Sequence, residues 1–256
     1  MGERFTPTGP TARITANIEV LELLDDLQTK GRRATPEEQA VLASWSGWGA
    51  TPAIFDEADA DTAEARGRVQ ALMSEEDWAA ARRTVLNAHY TDPTVAAAMW
   101  SALTDLGFAG GRVLEPGCGS GNLIAYAPPA AVITGVERDP SAAAVARALY
   151  PDADIHSSPF EQFAPPNPFD AVIANVPFAK ITPFDDRYNR GRHSLHNYFL
   201  VKSLALTRTG GVVVALTSHY TLDARNPAAR RELAQLGERA AFHLMSAIPT
   251  AAIWSC

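Results

Sequence analysis

Residues 170 to 178 read Asp-Ala-Val-Ile-Ala-Asn-Val-Pro-Phe, an apolar run that ends in an amide, a proline and an aromatic ring. Folding alone demands none of those three end groups, but chemistry could use them. The side-chain oxygen of Asn175 and a neighbouring main-chain carbonyl, that of Val176, can together accept both hydrogens of an amino group. Held in that way, the nitrogen keeps its lone pair off the π system of an attached ring and aims it at an electrophile. Phe178 offers a face on which a planar base can stack, worth about 1–3 kcal/mol. Pro177 confines Val176 to extended backbone and so fixes the direction of its carbonyl. Asn175, Val176, Pro177 and Phe178 are therefore predicted to grip an aromatic amine.

A second constellation lies upstream, in Val-Leu-Glu-Pro-Gly-Cys-Gly-Ser-Gly-Asn, residues 113 to 122. Gly117, Gly119 and Gly121 let the backbone turn tightly and approach a ligand without Cβ clashes. Glycines at a strand-to-helix turn can also serve packing alone. What adds to them is Glu115, directly before Pro116. A carboxylate there would repel a pyrophosphate, the usual occupant of such a turn, and would suit an ammonium or a sulfonium-bearing amino acid. Glu137 ends the next strand about twenty residues on, where an α/β nucleotide site places an acid on ribose hydroxyls. Its plainer role would be to cap the helix that begins near Ser141. Asp139 is better placed for that, which leaves Glu137 free for a ligand.

These residues need a scaffold, and the hydrophobic pattern supplies one. Ile14, Ile18, Leu21, Leu24 and Leu27 recur as one helix face over residues 14 to 29. Thr35, Pro36 and Glu38 form a capping-box signature for a second helix, which Ser-Gly-Trp-Gly-Ala at 46 to 50 then breaks. A third helix is predicted from Ser74 to about residue 86, so residues 1–86 read as a helical region without strand signal. From residue 87 to 256 the pattern changes. Thr91-Asp92-Pro93 opens a helix over 93 to 106. Apolar strands at Arg-Val-Leu-Glu-Pro, Ala-Val-Ile-Thr-Gly-Val-Glu, Ala-Asp-Ile-His-Ser, Phe-Asp-Ala-Val-Ile-Ala-Asn and Gly-Gly-Val-Val-Val-Ala-Leu-Thr-Ser then alternate with helices at 121–127, 141–149, 195–207 and 226–237. A sixth strand falls within 241 to 248. Such alternation predicts an α/β fold, a doubly wound, Rossmann-like parallel sheet covered on both faces. The carboxyl ends of its strands form the crevice where ligands bind, and that places Asn175 to Phe178 beside the glycine loop.

Composition narrows the function classes. The chain has 256 residues and a net charge of −7, a poor balance for binding nucleic acid by charge alone. Its two cysteines, Cys118 and Cys256, match no metal-ligand spacing and no disulfide framework, which points to a reducing, cytoplasmic setting. No apolar run approaches the roughly 20 residues of a membrane span.

With these motifs together, Val-Leu-Glu-Pro-Gly-Cys-Gly-Ser-Gly-Asn, Gly-Val-Glu-Arg-Asp and Asn-Val-Pro-Phe, the chain resembles the amino-group class of S-adenosylmethionine-dependent DNA methyltransferases. It is closest in pattern to the adenine-N6 enzymes whose catalytic motif is Asn-Pro-Pro-Phe. Asn-Ala-His-Tyr-Thr-Asp-Pro, from residue 87, resembles their N-terminal cofactor motif, and residues 195 to 223 resemble their downstream helix and strand. The leading region around residues 37 to 50 is similar to the methylase part of large phage and plasmid methylase-helicase proteins.

The resemblance implies a set of roles. Tyr90 and Thr91 would bind the methionine carboxylate of S-adenosylmethionine, favoured by the helix N-terminus that follows. Glu115, Pro116, Gly117, Gly119, Gly121 and Asn122 would surround the methionine portion, and Glu137 the ribose. Asn175 and the Val176 carbonyl would orient an adenine amine, with Phe178 on the ring. The partner would be DNA with its target base flipped out or single-stranded. In-line displacement at the sulfonium needs no protein nucleophile, metal or catalytic cysteine, so Cys118 is read as a small loop filler.

The chain departs from the family pattern at three places. Val176 replaces the first proline, which leaves the needed carbonyl intact. Pro159 stands where many members place an aspartate for the cofactor's adenine, with Glu161 as a candidate substitute. The last sixteen residues do not follow the family's continuation. The resemblance thus implies a sheet incomplete at the C-terminus, with a target-recognition or helicase-like part outside this chain. Arg187, Arg190, Arg192, His193 and Tyr198 lie in a stretch that is either a loop beside DNA phosphates or a solvated polar loop. His196 and Asn197 either cap or pack the helix that follows. A protein-glutamine or RNA methyltransferase on the same fold, or a non-catalytic remnant, are the alternative functions.

Overall fold

The computed structural model describes residues 7–84, 91–218, 220–237 and 241–245. In chain order the elements are α1 (Pro10–Lys30), α2 (Pro36–Leu42), α3 (Ala63–Leu72), α4 (Glu75–Thr84), α5 (Pro93–Asp105), β1 (Gly111–Pro116), β2 (Ala131–Glu137), α6 (Pro140–Leu149), β3 (Asp154–Ser157), β4 (Phe169–Asn175), α7 (Leu195–Leu206), β5 (Thr207–Leu216), α8 (Tyr220–Asp223), α9 (Ala228–Gly237) and β6 (Ala241–Met245). They fall into two units. One takes in α1 to α4, residues 119–121, α6 and β3; the other takes in α5, β1, β2 as far as Val136, β4 to β6 and α7 to α9.

In the first unit the helices close on an aromatic and aliphatic core. Ile14, Ile18, Leu21 and Leu27 of α1 are buried with Leu42, Trp45, Trp48, Ile54, Phe55, Val69 and, from α6, Val145. The predicted capping box starts α2: the Thr35 hydroxyl accepts the Glu38 amide at 3.3 Å and the Glu38 carboxylate accepts the Thr35 amide at 2.8 Å. Beyond α2, the break at Ser46-Gly47 is fixed by a buried residue of α1. The Asn17 amide accepts the Ser46 amide N–H at 3.0 Å and donates to the Gly47 carbonyl at 2.8 Å. That turn delivers Trp48 into the core, fully buried and edge-on to Trp45 and Phe55. The helix α3 was not expected from the sequence: only Val69 of its ten residues is buried, so its apolar periodicity is weak.

In the second unit the strands run in the order β2-β1-β4-β5-β6, and every neighbouring pair is parallel. Successive side chains of a strand point to opposite faces. Val172 and Ala174 of β4, with Val213 and Ala215 of β5, turn toward Phe199, Leu200 and Leu204 of α7. The alternate residues Ala171, Ile173, Val212 and Val214 are equally buried on the other face, and α5 lies against β4 and β5. This is the Rossmann-like α/β sheet that the alternation predicts. All strands end on one side, with Pro116 opposite Val136 and Asn175 opposite Leu216. Among the described residues no helix is long and apolar enough to cross a membrane.

One expected element is corrected. The helix predicted at 121–127 is a single 3-10 turn, Ile124–Tyr126. Gly121 holds φ at +85°, which an α-helix does not tolerate, and Pro128-Pro129 bars a helix seven residues later.

Candidate functional site

Asn175 is the last residue of β4, and the strand delivers it half-buried to the crevice end of the sheet. Its side chain is oriented from a distant part of the chain. Asn175 Nδ2 donates to the Thr91 hydroxyl at 3.2 Å. With the nitrogen so occupied, Oδ1 is the acceptor that remains for a ligand. Thr91 is buried just ahead of α5, whose N-cap, Asp92, accepts the Thr94 amide at 2.8 Å. The Thr91 carbonyl in turn accepts Asn122 Nδ2 at 3.4 Å. Thr91 thus joins Asn175 to the residue that follows the glycine loop.

The next three residues continue the design. Val176 is buried, and its amide N–H donates to Leu216 O at 3.1 Å, extending the β4–β5 pairing by one residue. With that peptide held and Pro177 following, the Val176 carbonyl has a fixed direction. Phe178 is partly buried against the α7 core, and its ring lies 6.4 Å from that of His196, tilted by 38°. Burial pushes the His196 imidazole below its ordinary pKa, so the neutral ring is the form that faces Phe178.

The glycine loop leaves β1 beside this segment. Gly117 and Cys118 both donate to Val136 O, at 2.7 and 3.2 Å, which folds the chain sharply over the end of β2. Gly117 has φ +73°, and a Cβ built there would lie 3.7 Å from the Phe199 ring and 4.0 Å from Pro177 Cδ. Glu115 and Cys118 are both 4% exposed. Cys118 is the small buried filler that its place in the loop predicts. Trp100 of α5 donates its indole N–H to Leu123 O at 2.8 Å and pins the exit of the loop.

Glu137 belongs to the first unit together with residues 119–121. It was expected to be free for a ligand, and the structure corrects this: Oε2 accepts the Gly119 amide at 2.8 Å and Oε1 accepts the Asp139 amide at 2.7 Å. Asp139 caps α6 through the Ser141 and Ala142 amides, as its position predicts. Burial raises the Glu137 carboxyl to about 7, against the backbone donors of Asp139, Gly119 and Arg138 that favour its ionised form. The carboxylate therefore sets the loop. Each of its oxygens has a second lone pair for a diol.

Of the remaining predicted residues, Pro116 is the buried end of β1. Glu161 sits in a 3-10 turn that opens after Pro159, and its main-chain carbonyl accepts Lys202 Nζ at 3.3 Å. Tyr90 lies outside the described residues.

Sequence reasoning missed the group that organises residues 181 to 193. Lys202, 1% exposed within α7, donates to Phe160 O at 2.6 Å and to Asp185 Oδ2 at 3.2 Å. It also lies over the rings of Phe160 and Tyr188, at 4.8 and 4.9 Å. Tyr198 donates its hydroxyl to the same Asp185 oxygen at 2.7 Å. Burial drives the Lys202 ammonium below its ordinary pKa even with Asp185 beside it. Asp185, whose own burial works the other way, is held below the usual carboxylate range by Tyr198, the Tyr188 amide and Lys202. The signal was a lysine in the otherwise apolar run Tyr-Phe-Leu-Val-Lys-Ser-Leu-Ala-Leu, since a lysine on a buried face needs a partner. The stretch is solvent-facing but internally tied: His193 is buried against Glu232, at 2.7 Å, and Asn189 closes on Pro183 O and His193 O. Arg187, Arg190 and Arg192 remain exposed.

Residues 114–187 match a family model described as a methyltransferase domain. Similar solved structures include the type I restriction-modification system methyltransferase subunit from Streptococcus thermophilus, at 17% identity over 92% of this chain and 60% of that one, with a TM-score of 0.50. TrmN from Thermus thermophilus is 23% identical over 55% of this chain and 41% of its own, with a TM-score of 0.40. CalS10, a SAM-bound amino pentose methyltransferase from Micromonospora echinaspora, is 23% identical over 47% and 48%, with a TM-score of 0.36. The chain spans less than two thirds of each of these solved chains. No curated protein matches it in sequence. The sheet is Rossmann-like, and the stretch 114–187 is similar to methyltransferase domains, the class that draws its methyl group from S-adenosylmethionine.

Proposed function

We propose that the protein methylates the exocyclic amine of adenine in DNA, at N6, using S-adenosylmethionine. The observation that carries this reading is the pair of acceptors at the end of β4: Asn175 Oδ1, left over once Nδ2 is bonded to Thr91, and the Val176 carbonyl, fixed by the Val176–Leu216 hydrogen bond. Two acceptors in sequence suit a planar amine with two hydrogens.

The residues present fit the cofactor. Gly117, Gly119 and Gly121 all have positive φ, at +73°, +54° and +85°, and put no side chain at those three positions. A buried carboxylate at Glu115 favours a cationic amino acid over a phosphate. Glu137 offers lone pairs to a ribose diol. When bound, S-adenosylmethionine supplies an electrophilic methyl on sulfur. Asn175 and Val176 hold the amine with its lone pair directed away from the ring, Phe178 fixes the ring plane, and Thr91 holds Asn175. Substrates of this kind reach such a pocket only when unstacked.

An RNA base or a glutamine side chain offers the same planar amide or amine geometry, and the net charge of −7 gives DNA no general electrostatic advantage. Transfer of a tritiated methyl group to unmethylated DNA, to RNA and to protein discriminates among the three. Asn175→Ala is expected to lose transfer by about a hundredfold or more while calorimetry shows S-adenosylmethionine binding retained. Transfer by the variant at the parent's rate would remove Asn175 from the reaction.

A further inference from the structure

The loop that follows Phe178 carries an apolar tip in water. Phe184 is 82% exposed and Ile181 47% exposed. A lone surface hydrophobic in a loose loop needs no explanation, but this loop is firmly fixed. Asp185, the next residue, accepts the Tyr198 hydroxyl, Lys202 Nζ and the amides of Arg187 and Tyr188. The Asn189 side chain closes the segment on Pro183 O at 2.8 Å, and the Leu195 amide returns to Ile181 O at 3.0 Å. Arg192 is held at φ +50°, a conformation a side-chain-bearing residue keeps only where its surroundings impose it. Lys202 has given up its water to take part. A fold that buries an ammonium, a carboxylate and a phenol to set one loop, and then leaves a phenyl ring in solvent at its tip, has fixed that ring for contact with something else.

The charges around the tip say what. Lys180, Arg187, Arg190 and Arg192 are exposed, and Asp186 is the one exposed carboxylate between residues 180 and 192. This local excess of cations stands in a chain of net charge −7. Exposed arginines around an apolar wedge match a nucleic acid, whose phosphates take the cations and whose base stack takes the ring. The tip is also near the chemistry: six residues separate Phe178 from Phe184, a reach of at most about 20 Å.

We infer that Phe184 inserts into the base stack beside the target nucleotide, with Lys180, Arg187, Arg190 and Arg192 on the flanking phosphates, and so opens a duplex for extrusion of the target. The inference rests on the nucleic-acid reading above and adds to it a group that unstacks the substrate. Such a group matters for paired substrate and not for a target that is already unpaired.

The test uses one preparation of unmethylated bacterial DNA, native and heat-denatured, with Phe184→Ala, Phe184→Trp and the parent chain. Because the ring is in solvent, neither substitution removes a core contact. Phe184→Ala is expected to lose at least tenfold in methyl transfer to native DNA and to stay within twofold of the parent on denatured DNA. Phe184→Trp is expected to stay within threefold on both. Parent-like transfer to native DNA by the alanine variant overturns the inference, as does an equal fall on both substrates. If the parent itself transfers to neither native nor denatured DNA, the functional reading fails first and the inference with it.

Discussion

Asn175 and Thr91 lie 84 residues apart in the chain and meet through a 3.2 Å hydrogen bond from the amide nitrogen of one to the hydroxyl of the other. In this arrangement the bond occupies Nδ2 and leaves Oδ1 as the open acceptor of the Asn175 amide. An amide free to flip would present NH₂ half the time, and a donor repels an amine's hydrogens. Thr91→Val removes the hydroxyl and keeps the shape. Loss of one hydrogen bond of about 1–1.5 kcal/mol predicts about a tenfold fall in kcat, with the KM for S-adenosylmethionine unchanged and Thr91→Ser close to the parent. A raised KM with kcat retained would instead assign Thr91 to the cofactor's carboxylate.

Glu137 predicts a pH dependence. Its carboxyl titrates at about 7 in the folded chain because burial favours the neutral form, and hydroxyl donors from a bound ribose favour the ionised one. Affinity for S-adenosylmethionine is therefore expected to fall as pH drops from 8 to 6, and that slope is expected to flatten in Glu137→Gln. Stability runs the opposite way. A carboxyl raised above its unfolded value stabilises the fold fully below about 4.5 and loses that contribution as pH rises through about 7. Melting temperatures of parent and variant at pH 5 and pH 8 check the sign: the variant should compare better with the parent at the higher pH.

Lys202 predicts a local failure. Lys202→Met leaves Asp185 buried without its cation, which costs about 3–5 kcal/mol, read as a lower urea midpoint. Asp185→Asn added to Lys202→Met should recover part of the loss. Trypsin gives a second measure: cleavage after Arg187, Arg190 and Arg192 is expected to be much faster in the single variant. Equal cleavage in parent and variant would mean that Lys202 does not hold the loop.

Asn17 predicts a failure in the other unit. Asn17→Ala leaves the Ser46 amide and the Gly47 carbonyl without their partner in a buried setting, a cost of about 1–3 kcal/mol for such groups. Since that turn delivers Trp48 into the core, tryptophan fluorescence should shift to longer wavelength before the rest of the chain unfolds.

The fold was legible because each strand is a short apolar run bounded by turn residues, and because Thr35, Asp92 and Asp139 cap the helices their positions announce. The candidate site was legible wherever one local segment carries it. Asn175 to Phe178 and Gly117 to Gly121 each make sense from consecutive residues. What could not be read depends on partners distant in sequence. Nothing near Thr91 reveals that its hydroxyl belongs to Asn175, nor near Asn17 that it holds Ser46. Glu137 was read as free because the Gly119 amide that occupies it lies 18 residues earlier. The short helix after the glycine loop failed for a local reason: Gly121 and Pro128-Pro129 outweigh an apolar pattern too brief to nucleate.

The helix α6 serves two neighbours. Its first turn grows from the Glu137–Asp139 corner that holds Gly119, and its side, at Val145, is embedded among the amino-terminal helices. Helices α1 to α4 thus brace that corner through α6. A change of side-chain volume on the amino-terminal helices is therefore felt at Val145 and, through the first turn of α6, at the glycine loop.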